Sequence, residues 1–157
     1  MSLQSDFQRA WQQLQAAGGG ALRLPFPDGE VCADLPLVDS VGCHCRQLVV
    51  RSQRLAGLST DQLTAIGDEL TRRLTYLLEP LHVIEIDGQA QVVQMRSVPP
   101  SPTPAGCAYY ELLVRAGGEL ELVRYERVKG QQRTATDALF TQEVLGRLID
   151  DLVGALP

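Results

Sequence analysis

Residues 107–127, with the sequence CAYYELLVRAGGELELVRYER, decide the fold class of this chain. Two runs rich in Tyr, Leu and Val flank Gly117 and Gly118. Such runs favour extended backbone, and Gly adopts without steric cost the positive φ angles that tight hairpin turns require. The stretch therefore predicts an antiparallel β-hairpin, in which consecutive strands pair without a crossover connection.

A two-residue glycine turn would set the register of this hairpin. Tyr110 is then predicted to face Tyr125, and Leu112 to face Val123. Since this face carries the apolar side chains, we expect it to be the face of the sheet that helices cover, and we expect the opposite face to be wetter.

The wetter face of the hairpin is the candidate binding surface. In the same register Glu111 lies opposite Arg124, and Tyr109 lies opposite Glu126. Cross-strand pairs of this kind stabilise a sheet by about 0.2–1 kcal/mol each, so a structural role is sufficient to explain them. Tyr and Arg are also favoured at interface hot spots, and these four residues are therefore the predicted binding residues.

Three segments with apolar side chains at steps of three and four are predicted to be the principal helices: residues 6–17, 60–78 and 141–154. The first two open with a capping-box pattern, in which Ser5 or Ser59 is the N-cap and a Gln follows three residues later. Thr141 is the predicted N-cap of the third helix.

The remaining β-rich segments predict about seven strands: residues 21–26, 31–37, 43–51, 81–86, 89–98, 107–115 and 119–127. Asp87 and Gly88 are a predicted two-residue hairpin turn between two of them. The order of helix, three strands, helix, four strands and helix predicts an α+β fold. We expect residues 1–157 to form a single domain, a mostly antiparallel sheet with helices on one face.

Composition and charge narrow the classes of function. The chain has 157 residues, of which 45% are hydrophobic and 21% charged, as in ordinary globular proteins. The net charge of −5 argues against nucleic-acid binding, which needs Lys and Arg to neutralise phosphates. The candidates for a local basic patch are Arg46, Arg51, Arg54, Arg72 and Arg73. The sequence shows neither a signal peptide nor an apolar run of the roughly 20 residues that a membrane helix needs, so we expect no membrane partner and a cytoplasmic protein.

Cys43, His44 and Cys45 are the residues most suggestive of metal or redox chemistry. On a strand, Cys43 and Cys45 point to one face and His44 points to the other, so at most two of the three reach one metal ion. Cys32 is predicted to lie too far along the neighbouring strand to complete a site. We expect Cys43 and Cys45 to be buried, reduced and metal-free, with a zinc site or a redox thiol as the alternatives.

No motif in the sequence indicates catalysis or a cofactor. His82 is predicted to lie on a strand with Glu85 on the opposite face, and no Ser or Cys has a nucleophile-elbow sequence around it. The fingerprints of phosphate-binding and dinucleotide-binding loops are absent from the sequence. We therefore expect no catalytic residues and no cofactor.

These observations favour a non-enzymatic binding module whose partner is another protein or a second copy of the chain. A homodimer is expected because sheet edges are commonly paired or covered. The element order is similar to that of small acidic secretion chaperones, which are also α+β dimers. The likeness is one of architecture, since no motif residue matches and this chain has two more strands. The alternative is a small-molecule-binding protein or an enzyme with a pocket between the sheet and the helices.

Overall fold

The computed structural model describes residues 2–157 and contains three α-helices and twelve strands within that range. The helices are α1 (Leu3–Ala17), α2 (Thr60–Arg73) and α3 (Gln142–Gly154). The strands are β1 (Gly20–Phe26), β2 (Gly29–Leu35), β3 (Leu37–Val38), β4 (Gly42–Cys45), β5 (Gln47–Ser52), β6 (Leu81–Asp87), β7 (Val92–Ser97), β8 (Ser101–Pro102), β9 (Gly106–Arg115), β10 (Glu119–Val128), β11 (Thr134–Thr136) and β12 (Ala138–Thr141).

The strands form one large sheet and one small sheet. The large sheet has nine strands and runs in the order β1-β2-β5-β10-β9-β7-β6, while β11 pairs with β10 and β8 pairs with β9. The small sheet has three strands in the order β12-β4-β3. The predicted α+β class and the mostly antiparallel sheet are confirmed, and the hairpin between β9 and β10 lies at the centre of the large sheet.

The three helices form at the predicted places with different ends. α1 begins earlier because Ser2, and not Ser5, is its N-cap. The capping box of Ser59 and Gln62 at α2 is confirmed, as is the N-cap Thr141 of α3. None of the helices within residues 2–157 has the length and apolar character that crossing a bilayer requires.

The second helix ends at Arg73, five residues before the predicted end. Leu74 and Leu77 are still buried in the core, so the apolar spacing continues although the helix does not. The apolar pattern ends at Leu78, which has a φ of 67° and a side chain that is 96% exposed. The apolar spacing in this segment therefore marks the side chains that are buried against the sheet. A chain that is not helical can bury side chains at the same positions.

The core lies between the helices and one face of the large sheet. Phe7 and Trp11 of α1 join buried side chains of α2, α3 and the sheet in one cluster. Below, this helix-covered face is called the inner face and the opposite one the outer face. Cys43 and Cys45 of β4 belong to the same cluster, whereas His44 lies on the other side of the small sheet, as expected for alternation along a strand.

The segment predicted as one strand, residues 43–51, is divided between the two sheets. The ladder of β4 ends at Cys45, and β5 of the large sheet begins at Gln47. Between them the backbone N–H of Arg46 donates to the carbonyl of Asp34 at 2.8 Å. This bend separates Cys43 and Cys45 from the strand that carries Arg51.

The predicted register of the central hairpin is wrong by one residue. Arg115 pairs with Glu119, so the turn contains three residues rather than two, and Gly118 adopts a φ of 108°. Tyr125 consequently pairs with Tyr109, and Tyr110 pairs with Arg124. Because side chains alternate along a strand, Tyr110 lies on the inner face and Tyr125 on the outer face, and the predicted Tyr110–Tyr125 pair does not exist.

In the observed register, the other predicted pairs of the hairpin do not form. Leu112 faces Leu122 and not Val123, and Glu111 faces Val123 and not Arg124. The physical reason is the turn type, since a three-residue hairpin loop ends with a residue at positive φ, and Gly118 serves that position.

The turn predicted at Asp87 and Gly88 is also longer than expected. Asp87 pairs with Val92, which leaves a four-residue loop. The Oδ1 atom of Asp87 accepts hydrogen bonds from the backbone N–H groups of Gln89 and Ala90, both at 3.0 Å. The Asp side chain organises this loop in the manner of an Asx turn.

The two glycines of the central hairpin should respond differently to substitution. Gly118→Ala should lower the free energy of unfolding by about 1–3 kcal/mol, because its φ of 108° is strained for any residue with a Cβ atom. Gly117→Ala is the matched control, since an added Cβ there has open space and no positive φ to adopt. Urea unfolding of both variants measures the difference, and equal stabilities would contradict the turn described here.

Candidate functional site

The four predicted binding residues lie on two opposite faces of the hairpin. Tyr109 and Glu111 point to the outer face, and Arg124 and Glu126 are on the inner face. The expectation that all four share one surface is wrong, because it depended on the two-residue turn. The pairs Glu111–Arg124 and Tyr109–Glu126 do not form, since Glu126 faces Ala108.

Arg124 has a structural partner on the inner face. Its Nη2 donates to Oε2 of Glu79 at 3.0 Å, and its guanidinium lies 4.5 Å from the ring centre of Tyr110. Glu79 is 9% exposed and also accepts hydrogen bonds from the hydroxyls of Ser97 and Ser101. Burial by itself would raise the pKa of Glu79, but the hydrogen bonds from Arg124, Ser101 and Ser97 outweigh it and hold that pKa below its usual value. The interaction ties the chain after α2 to the sheet.

The outer face of the large sheet carries a balanced series of ion pairs. Three Arg–Glu pairs cross it from β1 to β9: Arg23–Glu30 at 3.0 Å, Arg51–Glu119 at 3.1 Å and Arg115–Glu121 at 3.3 Å. Glu30 also lies 3.6 Å from Arg51, and Glu119 also lies 3.4 Å from Arg115, so the three arginines and three glutamates form one network with equal numbers of opposite charges. These exposed pairs contribute little to stability, and they leave no excess charge to attract a ligand.

The charges are not balanced around Glu111, because this one carboxylate is the only salt-bridge partner of both Arg133 and Arg96 within residues 2–157. Glu111 is 3% exposed, and Arg133 donates to both of its oxygens, while Arg96 lies 3.5 Å from Oε2. Arg133 also covers the ring of Tyr125 at 3.9 Å, and Arg96 covers the ring of Tyr109 at 4.7 Å. The hydrogen bond with Glu111 raises the pKa of Arg133 further above its usual value, so this guanidinium remains charged.

Two further cations lie in the chain that leads to Arg133. Residues 127–133, RVKGQQR, contain three basic residues and no acidic one. Arg127 follows Tyr125 on the outer face, and neither Arg127 nor Lys129 makes a salt bridge with another residue in the range 2–157. This part of the outer face is therefore locally basic in a protein of net charge −5.

The basic residues surround a cavity of about 640 Å³, named here the arginine cavity. Its lining consists of three arginines (Arg96, Arg127 and Arg133), three glutamines, one tyrosine and one glycine. All three guanidiniums and all three amides offer N–H donors, and no carboxylate or aliphatic side chain is in the lining. Such a wall suits an anion, because guanidinium groups bind carboxylate and phosphate oxygens in a fixed two-pronged geometry.

Sequence reasoning included Tyr109, which lines this cavity, and Glu111, which holds two of its arginines, but missed the arginines themselves. The available signal was the run of bases in residues 127–133, whereas Arg96 comes close to it only through the pairing of β7 with β9. The basic residues that the sequence did single out are mostly neutralised. Arg51 is paired with Glu119, and Arg72 and Arg73 are paired with Glu69.

Cys43 and Cys45, the candidates for metal or redox chemistry, are buried in the core. All four cysteines are free, and burial raises the pKa of Cys43 to about 11 and that of Cys45 to about 12. Within residues 2–157 no group of three or more His, Cys, Asp or Glu side chains is placed to hold a metal ion. The side chains of Cys43 and Cys45 therefore occupy the core as neutral thiols.

The expectation that His82 and Glu85 lie on opposite faces is wrong. A β-bulge between Val83 and Glu85 inserts one residue into β6, so that His82 pairs with Arg96 and Glu85 pairs with Gln94. Both therefore lie on the outer face, because Arg96 and Gln94 are two residues apart on β7. Both side chains are exposed, which leaves them in water rather than in a catalytic cleft.

Comparison of the chain with protein-family models, with curated proteins and with solved structures finds no match. The similarity of element order to secretion chaperones thus remains a likeness of architecture and carries no role over to this chain.

The buried thiols should be chemically silent in the folded protein. At about pH 8 only about one thousandth of a thiol with a pKa of about 11 is ionised, and the thiolate is the reactive form. We expect iodoacetamide to alkylate Cys32 and Cys107, which are partly exposed, well before Cys43 and Cys45. Peptide mass spectrometry measures this, and unfolding the protein should make all four react. Rapid native labelling of Cys43 or Cys45 would contradict their burial.

The Glu111–Arg133 pair should hold residues 129–133 on the sheet. Glu111→Gln removes the charge that binds Arg133 and Arg96, so we expect faster trypsin cleavage after Lys129 and Arg133. Glu126→Gln is the matched control on the same hairpin, because Glu126 makes no salt bridge within residues 2–157. Cleavage followed by mass spectrometry should rise at least threefold for the first variant and stay unchanged for the second. Equal rates would show that the pair does not position the loop.

Proposed function

We propose that this protein is a non-enzymatic binding module that recognises an acidic segment of a protein partner at the arginine cavity. The observation that carries the proposal is the set of three guanidiniums around one cavity with a single, buried carboxylate among them. The remainder of the outer face, with one Glu for each Arg, provides the contrast.

Donors remain available for a ligand after the internal bonds are made. Arg127 has no carboxylate partner within residues 2–157, and Arg96 reaches Glu111 only at 3.5 Å. A carboxylate entering the cavity would meet the guanidiniums of Arg127 and Arg96, both of which line it, while Glu111 keeps Arg133 in place. This division of roles gives a preorganised site, in which little side-chain entropy is lost on binding.

The surroundings favour a protein segment over a nucleic acid. Single-stranded nucleic acids bind largely by stacking bases on aromatic rings, but Arg96 and Arg133 already cover the rings of Tyr109 and Tyr125. The overall charge of −5 would also repel a long polyanion, whereas a short acidic segment senses mainly the local basic patch. The polar lining is unlike the mostly apolar walls of typical small-molecule pockets.

An enzyme or small-molecule binder with a pocket between sheet and helices has less support. The residues expected to equip such a pocket do not meet in one. Cys43 and Cys45 are packed in the hydrophobic core, and Arg124 is paired with Glu79, while His82 and Tyr109 lie on the outer face. Self-association stays part of the proposal on a separate observation, since the edge strand β6 exposes Ile84 and Ile86. An exposed apolar edge strand favours pairing with another chain.

Binding of a fluorescein-labelled decapeptide of alternating Glu and Ser, followed by fluorescence anisotropy, tests the site. Arg127→Gln should raise the dissociation constant about tenfold, as expected for loss of one charge-assisted contact. Arg23→Gln is the matched control, because it removes the same charge from the same face at the distant strand β1. It should change the dissociation constant less than twofold.

Three results would overturn the proposal. One is saturable binding that both variants weaken equally, since attraction would then depend on net charge and not on the cavity. Another is equal binding of a peptide with Gln in place of every Glu. Absence of any binding by the wild-type protein at low salt would also overturn it, because electrostatic attraction is strongest there.

A further inference from the structure

The small sheet exposes apolar side chains on its solvent-facing side. Leu37 and Leu139 both pair with His44, so the three residues form one row across β3, β4 and β12, with the two leucines about 10 Å apart. Leu37 is 46% exposed, Leu139 is 68% exposed, and the nearby Val41 is 71% exposed. Three large aliphatic side chains in one small area exceed the single exposed residues that any protein surface carries.

These residues belong to a continuous groove. A cavity of about 290 Å³ lies over the small sheet, and a second of about 510 Å³ lies between α1, α3 and the loop before β4. The two cavities share Val41 and Thr141 in their linings. The groove therefore runs from the apolar row of the small sheet to the first turn of α3.

The charge of the groove is opposite to that of the arginine cavity. Its lining contains the carboxylates of Asp39 and Glu143 and no Lys or Arg. The backbone N–H groups of Gly42 and Val41 donate to Asp39 and lower the pKa of its carboxyl, which keeps it ionised at neutral pH. The carboxylate of Asp137 lies 3.5 Å from His44 beside the row, but it is also paired with Arg46 at 3.4 Å, so the negative charge of the groove comes from Asp39 and Glu143.

We propose that this groove binds an extended segment of a partner protein that carries aliphatic side chains next to Lys or Arg. The aliphatic side chains cover Leu37, Val41 and Leu139, and the basic groups lie against Asp39 and Glu143. An acidic segment of the kind expected at the arginine cavity is repelled here. A second copy of the chain fits poorly, because placing two such grooves face to face brings like charges together.

The test uses three fluorescein-labelled peptides of twelve residues, measured by fluorescence anisotropy with the full-length protein. The first peptide has Leu at every second position and either Lys or Ser at the positions between. The second is the first with each Lys replaced by Glu, and the third is the first with each Leu replaced by Ser. We expect the first to bind at least tenfold more tightly than either of the others. Its affinity should depend both on salt and on the leucines.

Two variants locate the binding on the molecule. Leu139→Ser should weaken binding of the first peptide at least tenfold, whereas Ile86→Ser, which changes an exposed aliphatic side chain on β6 outside the groove, should change the affinity less than twofold. Glu143→Gln should weaken the first peptide about threefold and leave a variant of it with Ser in place of each Lys unaffected. Leu139 is exposed, so its loss should leave thermal unfolding unchanged.

Several outcomes overturn the inference. Equal binding of the Lys and Glu peptides would show that the charge of the groove does not select the segment. Equal effects of Leu139→Ser and Ile86→Ser would show that the peptide does not bind in the groove. If the wild-type protein does not bind the first peptide, the groove is not a segment-binding site. Light scattering that shows a dimer for the wild type and a monomer for Leu139→Ser assigns the surface to a second copy instead. The decapeptide bound at the arginine cavity should be insensitive to Leu139→Ser, so the two sites fail independently.

Discussion

The register of the β9–β10 hairpin is the constraint on which the other features of this protein depend. Gly118 at positive φ closes a three-residue turn, and this choice decides which side chains of both strands face the core. One residue less in the turn would turn every side chain of one strand to the opposite face. Arg124 points inward and Tyr109, Glu111 and Tyr125 point outward because of it.

Each face of the hairpin holds one buried carboxylate, and each carboxylate anchors a loop. On the inner face Glu79 brings the chain after α2 to Arg124, and on the outer face Glu111 brings residues 129–133 to the sheet through Arg133. Breaking such a pair from one side leaves a buried charge without its partner, which is costly. The two interactions therefore help to position two irregular segments, the first of which is also held by the buried side chains of Leu74 and Leu77.

Positive and negative charges lie in separate regions of the surface, which the net charge of −5 does not show. Most of the outer face is neutralised pair by pair, the arginine cavity is basic, and the groove beside the small sheet is acidic and apolar. At physiological ionic strength such local fields act over about 8 Å, so each surface selects its own ligand. The two surfaces therefore differ in the charge that they present to a ligand, and this difference is the basis of the two proposed binding sites.

The sequence by itself determined the class of fold, the places of the three helices and the caps at Ser59 and Thr141, because apolar periodicity and capping are local properties. The end of α2, the division of residues 43–51 and the hairpin register were decided by tertiary packing. A two-glycine turn permits loops of two or three residues, and the three-residue loop is the one that places Leu120 and Leu122, rather than Glu119 and Glu121, on the inner face. The arginine cavity shows the same limit: Arg127 and Arg133 share a visible run, but Arg96 joins them only across paired strands, where sequence distance carries no information.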